Sequence, residues 1–395
     1  MNQEFIVPTL GNCTVENPIK TRISEESQKQ IFVREGERVL FDSTLDYFRS
    51  CKETGEEPIS FEIAGPHEKI YFDPSKTKAA VVTCGGLCPG LNNVIRSLVV
   101  QLFERYGVKR ITGIKYGYEG FIPKYGHEIV DLTPELVDTI HTQGGSILGS
   151  SRGNQNVSEI VDALERLNIN MLFTVGGDGT QRGSHEIWEE INRRGLKIAC
   201  CGIPKTIDND INYIEKTFGF ETAFSIAYNV LKDAHNEAKG AYNGITIVKL
   251  MGRDSGFIAA SATLAVCDVN FVLVPEMDFD LHGPRGFLKT LRARLDRKQH
   301  ALIVVAEGAG QNLFEDQTFE KDASGNTLHK DIGIYLREKI KEDYDSRKYR
   351  YALRYIDPSY IIRSAPATAD DSKFCSQLAQ YAVHAAMAGK TDFIV

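Results

Sequence analysis

Residues Leu172–Gly183 read LFTVGGDGTQRG, and residues Ile198–Ile211 read IACCGIPKTIDNDI. Each is a short apolar run ending in a loop that combines glycine or proline with aspartate, and a segment of helical pattern separates them. That order of strand, loop, helix, strand and loop belongs to an α/β sheet. In Gly176-Gly177-Asp178-Gly179-Thr180 the glycines let main-chain N–H groups approach an anion closely, and Asp178 supplies the hard oxygen ligand that magnesium prefers. In Pro204-Lys205-Thr206-Ile207-Asp208-Asn209-Asp210 two carboxylates flank an amide, with a hydroxyl and an ammonium just upstream. One aspartate could take a proton from a sugar hydroxyl while the other holds it in place or assists the metal. Either loop alone is ordinary turn chemistry. Together, one helix apart, they point to phosphoryl transfer.

The whole chain sets the bounds. Its 395 residues, 42% hydrophobic and 25% charged, match soluble globular proteins and predict two lobes. A formal net charge of -7 argues against nucleic acid as a partner, so an anionic substrate needs a local basic cluster. No apolar run approaches the roughly 20 residues of a membrane span, and the N-terminus lacks the layout of a signal peptide, so no membrane partner and a cytoplasmic location are expected. The eight cysteines are scattered without CxxC pairing or a zinc spacing, as free thiols would be. Cys84 and Cys88 flank a glycine-rich turn, where the inert, small-apolar reading is favoured over an oxidation-sensitive one.

Residues 1–75 form a polar stretch with short apolar patches, expected to pack on the main body or on a neighbouring subunit. From Lys78, AAVVTCGGLCPGLNNVIRSLVVQLFERYG predicts a buried strand, a glycine-rich turn and an amphipathic helix opening at Pro89 to Asn92, the start of a doubly wound sheet. A strand is expected at Arg110–Lys115, and GGSILGSSRG (Gly144–Gly153) is a flexible loop ending in Arg152 and Gly153, where an arginine can span donor and acceptor phosphates. Phe218–Gly240 reads as a helix and Gly244–Leu250 as a buried strand delivering Met251-Gly252-Arg253 at its carboxyl end. There Arg253 could grip a sugar phosphate, with Met251 and Gly252 shaping the wall. Two further buried strands are expected at Phe271–Glu276 and Ala301–Gly308, separated by a basic helical segment. Gln311–Asn326 reads as a polar surface excursion and Asp331–Asp343 as a helix.

GGDGT, PKTIDND, MGRDSG and the AEG ending beyond Glu307, in this order and at similar spacing, resemble the 6-phosphofructokinase family from about Lys78 onward. GGDGT also occurs in NAD kinases and lipid kinases, but TIDND, MGR and the late arginines fit a phosphosugar. The resemblance implies a two-lobed fold with doubly wound, mostly parallel sheets. It implies a nucleotide lobe over 76–217 with a return at 357–395, and a sugar-phosphate lobe over 218–356. The activity it implies is the ATP-dependent phosphorylation of fructose 6-phosphate at the 1-hydroxyl, a step of glycolysis, by an allosteric homo-oligomer (dimer or tetramer) using Mg2+. Site residues carry over by motif. Gly86, Arg152, Gly153, Gly177, Asp178, Gly179 and Thr180 would contact ATP, with Asp178 holding the metal. Asp208 would be the base. Thr206, Ile207, Met251, Gly252, Arg253, Glu307, Arg354, Tyr360 and Arg363 would contact the sugar phosphate, and Arg354 is often lent across a subunit interface.

Several positions depart from the pattern. Gly179 leaves room for a nucleotide's α-phosphate where pyrophosphate-using relatives carry aspartate, which favours ATP. Lys205 is the residue those relatives carry, so the mixture is similar to the ATP-dependent plant and kinetoplastid branch, with pyrophosphate as the alternative donor. Tyr360 replaces a usual histidine, Asn243 and Gly244 stand near a usual arginine, and the basic pattern at Arg96 is broken by apolar Val100. Family members continue beyond the AGKTD-like segment, so a fragment is among the alternatives for a chain ending at Phe393-Ile394-Val395; a non-catalytic regulatory subunit is another, disfavoured because Asp178, Asp208 and Asp210 are all present.

Overall fold

A computed structural model describes residues 5–314, 320 and 327–395; most of the expected polar excursion after Phe314 lies outside the described residues. The chain divides into two compact units, one of residues 1–205 and 372–395 and the other of residues 206–371.

The first unit opens with short elements. Strands β1 (Val15–Glu16), β2 (Arg38–Leu40), β3 (Ser60–Glu62) and β4 (Lys69–Ile70) form two small antiparallel ribbons, β1 with β4 and β2 with β3. Helices α1 (Glu25–Ile31) and α2 (Leu45–Thr54) lie among them, each capped by a hydroxyl, of Ser24 and Thr44. The core sheet follows, with strands β5 (Lys78–Thr83), β6 (Arg110–Ile114), β7 (Ile129–Asp131), β8 (Met171–Gly176) and β9 (Ala199–Pro204). Its order is Phe393–Ile394, β9, β8, β5, β6, β7, parallel throughout except for β7. Strands β8 and β9 are buried along their whole length, so they read as continuous apolar runs without alternation. Helix α3 (Leu91–Val100) enters through Gly90 at φ +104° and continues as a wider π-type turn, Gln101–Tyr106. After the short α4 (Pro134–Val137), α5 (Val157–Arg166) is capped by Asn156, and α6 (Asp178–Arg193) follows β8 directly. Ile160, Val161 and Leu164 of α5 and Ile187 and Ile191 of α6 cover one face of the sheet. The strand order reverses at β5, whose neighbours β6 and β8 both come later in the chain, and ligand crevices form at such points.

The second unit is a four-stranded parallel sheet, ordered β11 (Phe271–Leu273), β12 (His300–Ala306), β10 (Gly244–Leu250), β13 (Ala352–Ile356). Helices α7 (Phe220–Lys239) and α8 (Phe257–Val266) pack on one face; α9 (Phe287–Lys298) and α10 (Ile332–Ser346) cover the other, where Ile245, Ile247, Ile303 and Val305 meet Leu291, Leu295, Leu336 and Ile340. A short helix, α11 (Ser359–Arg363), follows β13, and α12 (Ala369–Met387) runs across the division of the chain. The expected strand at Phe271–Glu276 stops at Leu273 and lies at a sheet edge, with Val272 exposed. Pro275 lacks the N–H that a longer ladder would use.

Candidate functional site

In the first unit three loops meet at the carboxyl ends of β5 and β8. Backbone bonds set their spacing: Cys84 N–H donates to Val175 O at 2.9 Å, Gly85 N–H to Ser151 O at 3.0 Å, and Lys205 N–H to Gly176 O at 2.9 Å. Gly85 takes φ +83°, in the left-handed region open to glycine. The glycines of the second loop have different reasons. A Cβ at Gly176 would lie 2.2 Å from Thr180 Oγ1, and one at Gly177 3.2 Å from Lys205 O, whereas Gly179 faces open space. Close packing therefore imposes the first, crowds the second and leaves the third open.

Asp178 is exposed in the first turn of α6, where the helix N-terminus favours negative charge. Thr180 is buried, and its carbonyl accepts from the Tyr118 hydroxyl at 2.8 Å, so it braces the loop from within. The Lys205 ammonium, also buried, donates to Gly86 O at 2.8 Å, and a Cβ at Gly86 would lie 3.3 Å from an Arg152 guanidinium nitrogen. Gly153 beside that arginine sits at φ +100°. Gly86, Arg152, Gly177 and Lys205 are thus brought together, with two half-buried glycines and two cations, a setting suited to phosphates. Burial pushes the Cys84 thiol up to about 12, which agrees with the inert reading of that residue.

In the second unit the loop after Lys205 is built around Asp208. Thr206 Oγ1 accepts from Asp208 N–H at 3.1 Å and donates to Asp210 Oδ1 at 3.2 Å. Asn209, at φ +58°, accepts from Thr217 N–H at 2.8 Å and closes the loop. Ser255 Oγ donates to Asp208 O at 3.0 Å, pinning the loop to the turn that carries Arg253. In that turn Gly252 is at φ +149°, with a Cβ position 2.4 Å from Ser255 O, and Arg253 is at φ +47°. Arg253 N–H donates to Glu307 Oε1 at 3.0 Å, joining the ends of β10 and β12.

Asp208 is 8% exposed, and its Oδ1 is buried without a hydrogen-bond partner among the described residues. Burial is the main force pushing its carboxyl up to about 6; the charges of Asp210 and Glu307 add to it, and Arg253 and Arg363 oppose it. Asp210, Glu307, Arg253 and Arg363 therefore all act on Asp208. A buried carboxyl that titrates near neutrality, beside two guanidinium groups, can accept a proton from a hydroxyl on an anionic substrate.

The remaining residues are placed differently. Ile207 and Met251 are buried beside this loop and turn in the chain. Arg354 on β13 pairs with Glu237 of α7 at 2.7 Å. Tyr360 on α11 is 83% exposed, and Arg363 is the last residue of the same helix. Asn243, at φ +48°, donates to Arg350 O, and a Cβ at Gly244 would meet Ala238 O at 2.1 Å, so this neighbourhood is a tight backbone turn. Sequence reading missed the supporting roles of Tyr118, Asn209 and Ser255. Of these only Asn209 carried a signal, an asparagine inside a turn-like run, where left-handed backbone is tolerated.

The family model described as Phosphofructokinase matches residues 78–386. Over its whole length the chain is 51% identical to "ATP-dependent 6-phosphofructokinase" of Borreliella burgdorferi, covering 89% of that protein. It is 46% identical to "ATP-dependent 6-phosphofructokinase 7" of Arabidopsis thaliana, over 96% of this chain and 77% of that one. Among solved structures, the pyrophosphate-dependent phosphofructokinase from Marinobacter aquaeolei superposes with a TM-score of 0.65 at 21% identity, over 80% of this chain and 78% of that chain, a likeness of fold. Loops, sheets and sequence agree, and the chain belongs to the phosphofructokinase family.

Proposed function

We propose that the chain is an ATP-dependent 6-phosphofructokinase, transferring the γ-phosphoryl group of ATP to the 1-hydroxyl of fructose 6-phosphate to give fructose 1,6-bisphosphate in glycolysis. The observation that carries this reading is Asp208, a buried carboxyl held at about 6 among Arg253, Arg363 and Glu307. In its ionised form it takes the proton from the attacking hydroxyl. Arg253 and Arg363 bind the 6-phosphate, and Glu307, anchored by the Arg253 N–H, receives the sugar hydroxyls. Thr206 steadies the transferring group together with Arg152. On the donor side the backbone of Gly86, Gly177 and Gly153 approaches the phosphates, and the open space at Gly179 admits the nucleotide.

Asp178 is the residue proposed to hold magnesium. Among the described residues no three His, Cys, Asp or Glu side chains form a metal-sized cluster. One exposed carboxylate fits an ion carried chiefly by donor phosphates and water, as Mg2+ usually is. When bound, Mg2+ neutralises charge developing on the phosphoryl oxygens. We place the enzyme in the cytoplasm as a homo-oligomer, dimer or tetramer. No helix among the described residues is long and apolar enough to cross a membrane.

Pyrophosphate is the second reading, because the buried Lys205 ammonium beside Gly86 could serve either donor. The test is turnover of fructose 6-phosphate with Mg2+ and saturating ATP or pyrophosphate. Faster turnover with ATP is expected; faster turnover with pyrophosphate would overturn the donor assignment, and no turnover with either would overturn the activity.

A further inference from the structure

Strand β10 reads GITIVKL, and its alternation places Ile245, Ile247 and Lys249 on one face. The two isoleucines are fully buried under α9 and α10; the third position of the row, where an apolar residue is expected, is a lysine with a side chain only 14% exposed. Its ammonium lies 2.6 Å from Asp331 Oδ2 and 2.9 Å from Asp357 Oδ2. Each carboxylate also holds a helix start. Asp331 accepts from Ile334 N–H at 2.9 Å at the beginning of α10, and the Tyr355 hydroxyl donates to it at 3.1 Å. Asp357 accepts from Ser359 N–H at 3.0 Å and from the Ser359 hydroxyl, fixing the start of α11.

We propose that Lys249 is a positioning residue for the sugar phosphate: through Asp357 it sets the direction of α11, which carries Arg363, relative to the β10 turn that carries Arg253. The proposal rests on the phosphofructokinase reading above and deepens it. Lys249 stands two residues before Met251 on the strand that delivers Arg253, and Asp357 stands two residues before the first residue of α11. A five-residue helix has too few internal bonds to hold its own orientation. It contacts α7, and the β10–β13 ladder ends at Val248 opposite Ile356; beyond that ladder the Lys249–Asp357 pair ties the end of β10, which leads into the Arg253 turn, to the start of α11. The Lys249 side chain is 14% exposed and each carboxylate 32%, so water weakens this pair less than it would an ordinary surface ion pair. Lys249 does not touch the reacting atoms, so its loss should act on acceptor binding and spare the donor.

The experiment measures KM for fructose 6-phosphate and for ATP in K249M, D357N and the double variant, after the parent enzyme has been shown to turn over fructose 6-phosphate. A parent without turnover refutes the activity reading, whereas the variants address only Lys249. In K249M the KM for fructose 6-phosphate should rise about ten- to a hundred-fold, the effect of a misplacement on the order of 1 Å, with the KM for ATP within about twofold. D357N keeps an acceptor for the Ser359 N–H but loses the charge, and should show the same one-sided rise at smaller size. The double variant should resemble K249M, because both changes break one link. K249R should restore part of the affinity. Equal changes in both KM values, an unchanged KM for fructose 6-phosphate, or effects that add in the double variant would each overturn the proposal. If K249M fails to fold, D357N decides by the same split.

Discussion

Asp178 and Asp208 are the same residue type, each following one of two adjacent parallel strands, β8 and β9, and the molecule treats them in opposite ways. Asp178 is exposed in the first turn of a sixteen-residue helix, open to water and to a metal. Asp208 is buried, with two carboxylates and two guanidinium groups acting on it, and its carboxyl is raised to about 6. In the proposed mechanism it is burial, more than residue identity, that suits one to hold a metal and the other to act as a base. It also sets a cost. Holding Asp208 ionised in the folded state, against a usual value of 3.8, costs on the order of 3 kcal/mol. Because the folded value is the higher one, this group's contribution to stability falls as pH rises from about 4 through 6. Above that range the native state carries the full penalty, strain kept at a functional site.

The sharpest way to break this contrast is D208N. Turnover should fall by about 10² to 10⁴ while the KM for fructose 6-phosphate changes little. Removing the buried charge should also raise the denaturation midpoint at pH 8. Turnover within tenfold of the parent would remove Asp208 from proton transfer, and an unchanged midpoint would show that its ionisation carries no strain.

On the donor side, G179D places a second carboxylate in the open space beside Asp178. The position is helical and the space is empty, so the fold should persist. ATP turnover should drop about a hundredfold, since like charges about 4 Å apart repel by up to roughly 4 kcal/mol near a protein surface. A variant that still uses ATP at the parent rate would place the nucleotide elsewhere.

The smallest effect concerns pH. The kcat/KM profile for fructose 6-phosphate should fall on the acid side with an apparent value near 6, as Asp208 takes up its proton. In D210N a raising neighbour is gone, so that limb should move to lower pH. A limb that stays in place would mean that Asp210 does not contribute to the value. A limb that moves to higher pH would contradict the sign of the interaction.

The parallel sheets were legible in sequence because buried parallel strands are nearly continuous apolar runs, as at MLFTVG and at GITIVKL, which only Lys249 interrupts with a charge. Helix starts were legible at Asp331, which caps α10, and at the Pro89–Asn92 entry to α3. Strand β11 was read too long, since FVLVPE keeps an apolar pattern past the residue where its ladder ends. The roles of Tyr118, Ser255 and Lys249 were invisible: each acts through a partner far away in the chain, Thr180, Asp208 and the Asp331–Asp357 pair respectively. No local period or propensity encodes such partners.

The order of strands, the phosphate loops and the residue types available for chemistry are properties of the amino-acid sequence, because they depend on local pattern and covalent neighbours. Tertiary structure alone decided which glycine is forced by packing and which faces open space, and which of two similar aspartates is buried. Those outcomes depend on how much water and charge the fold leaves around a group, and distant segments set that.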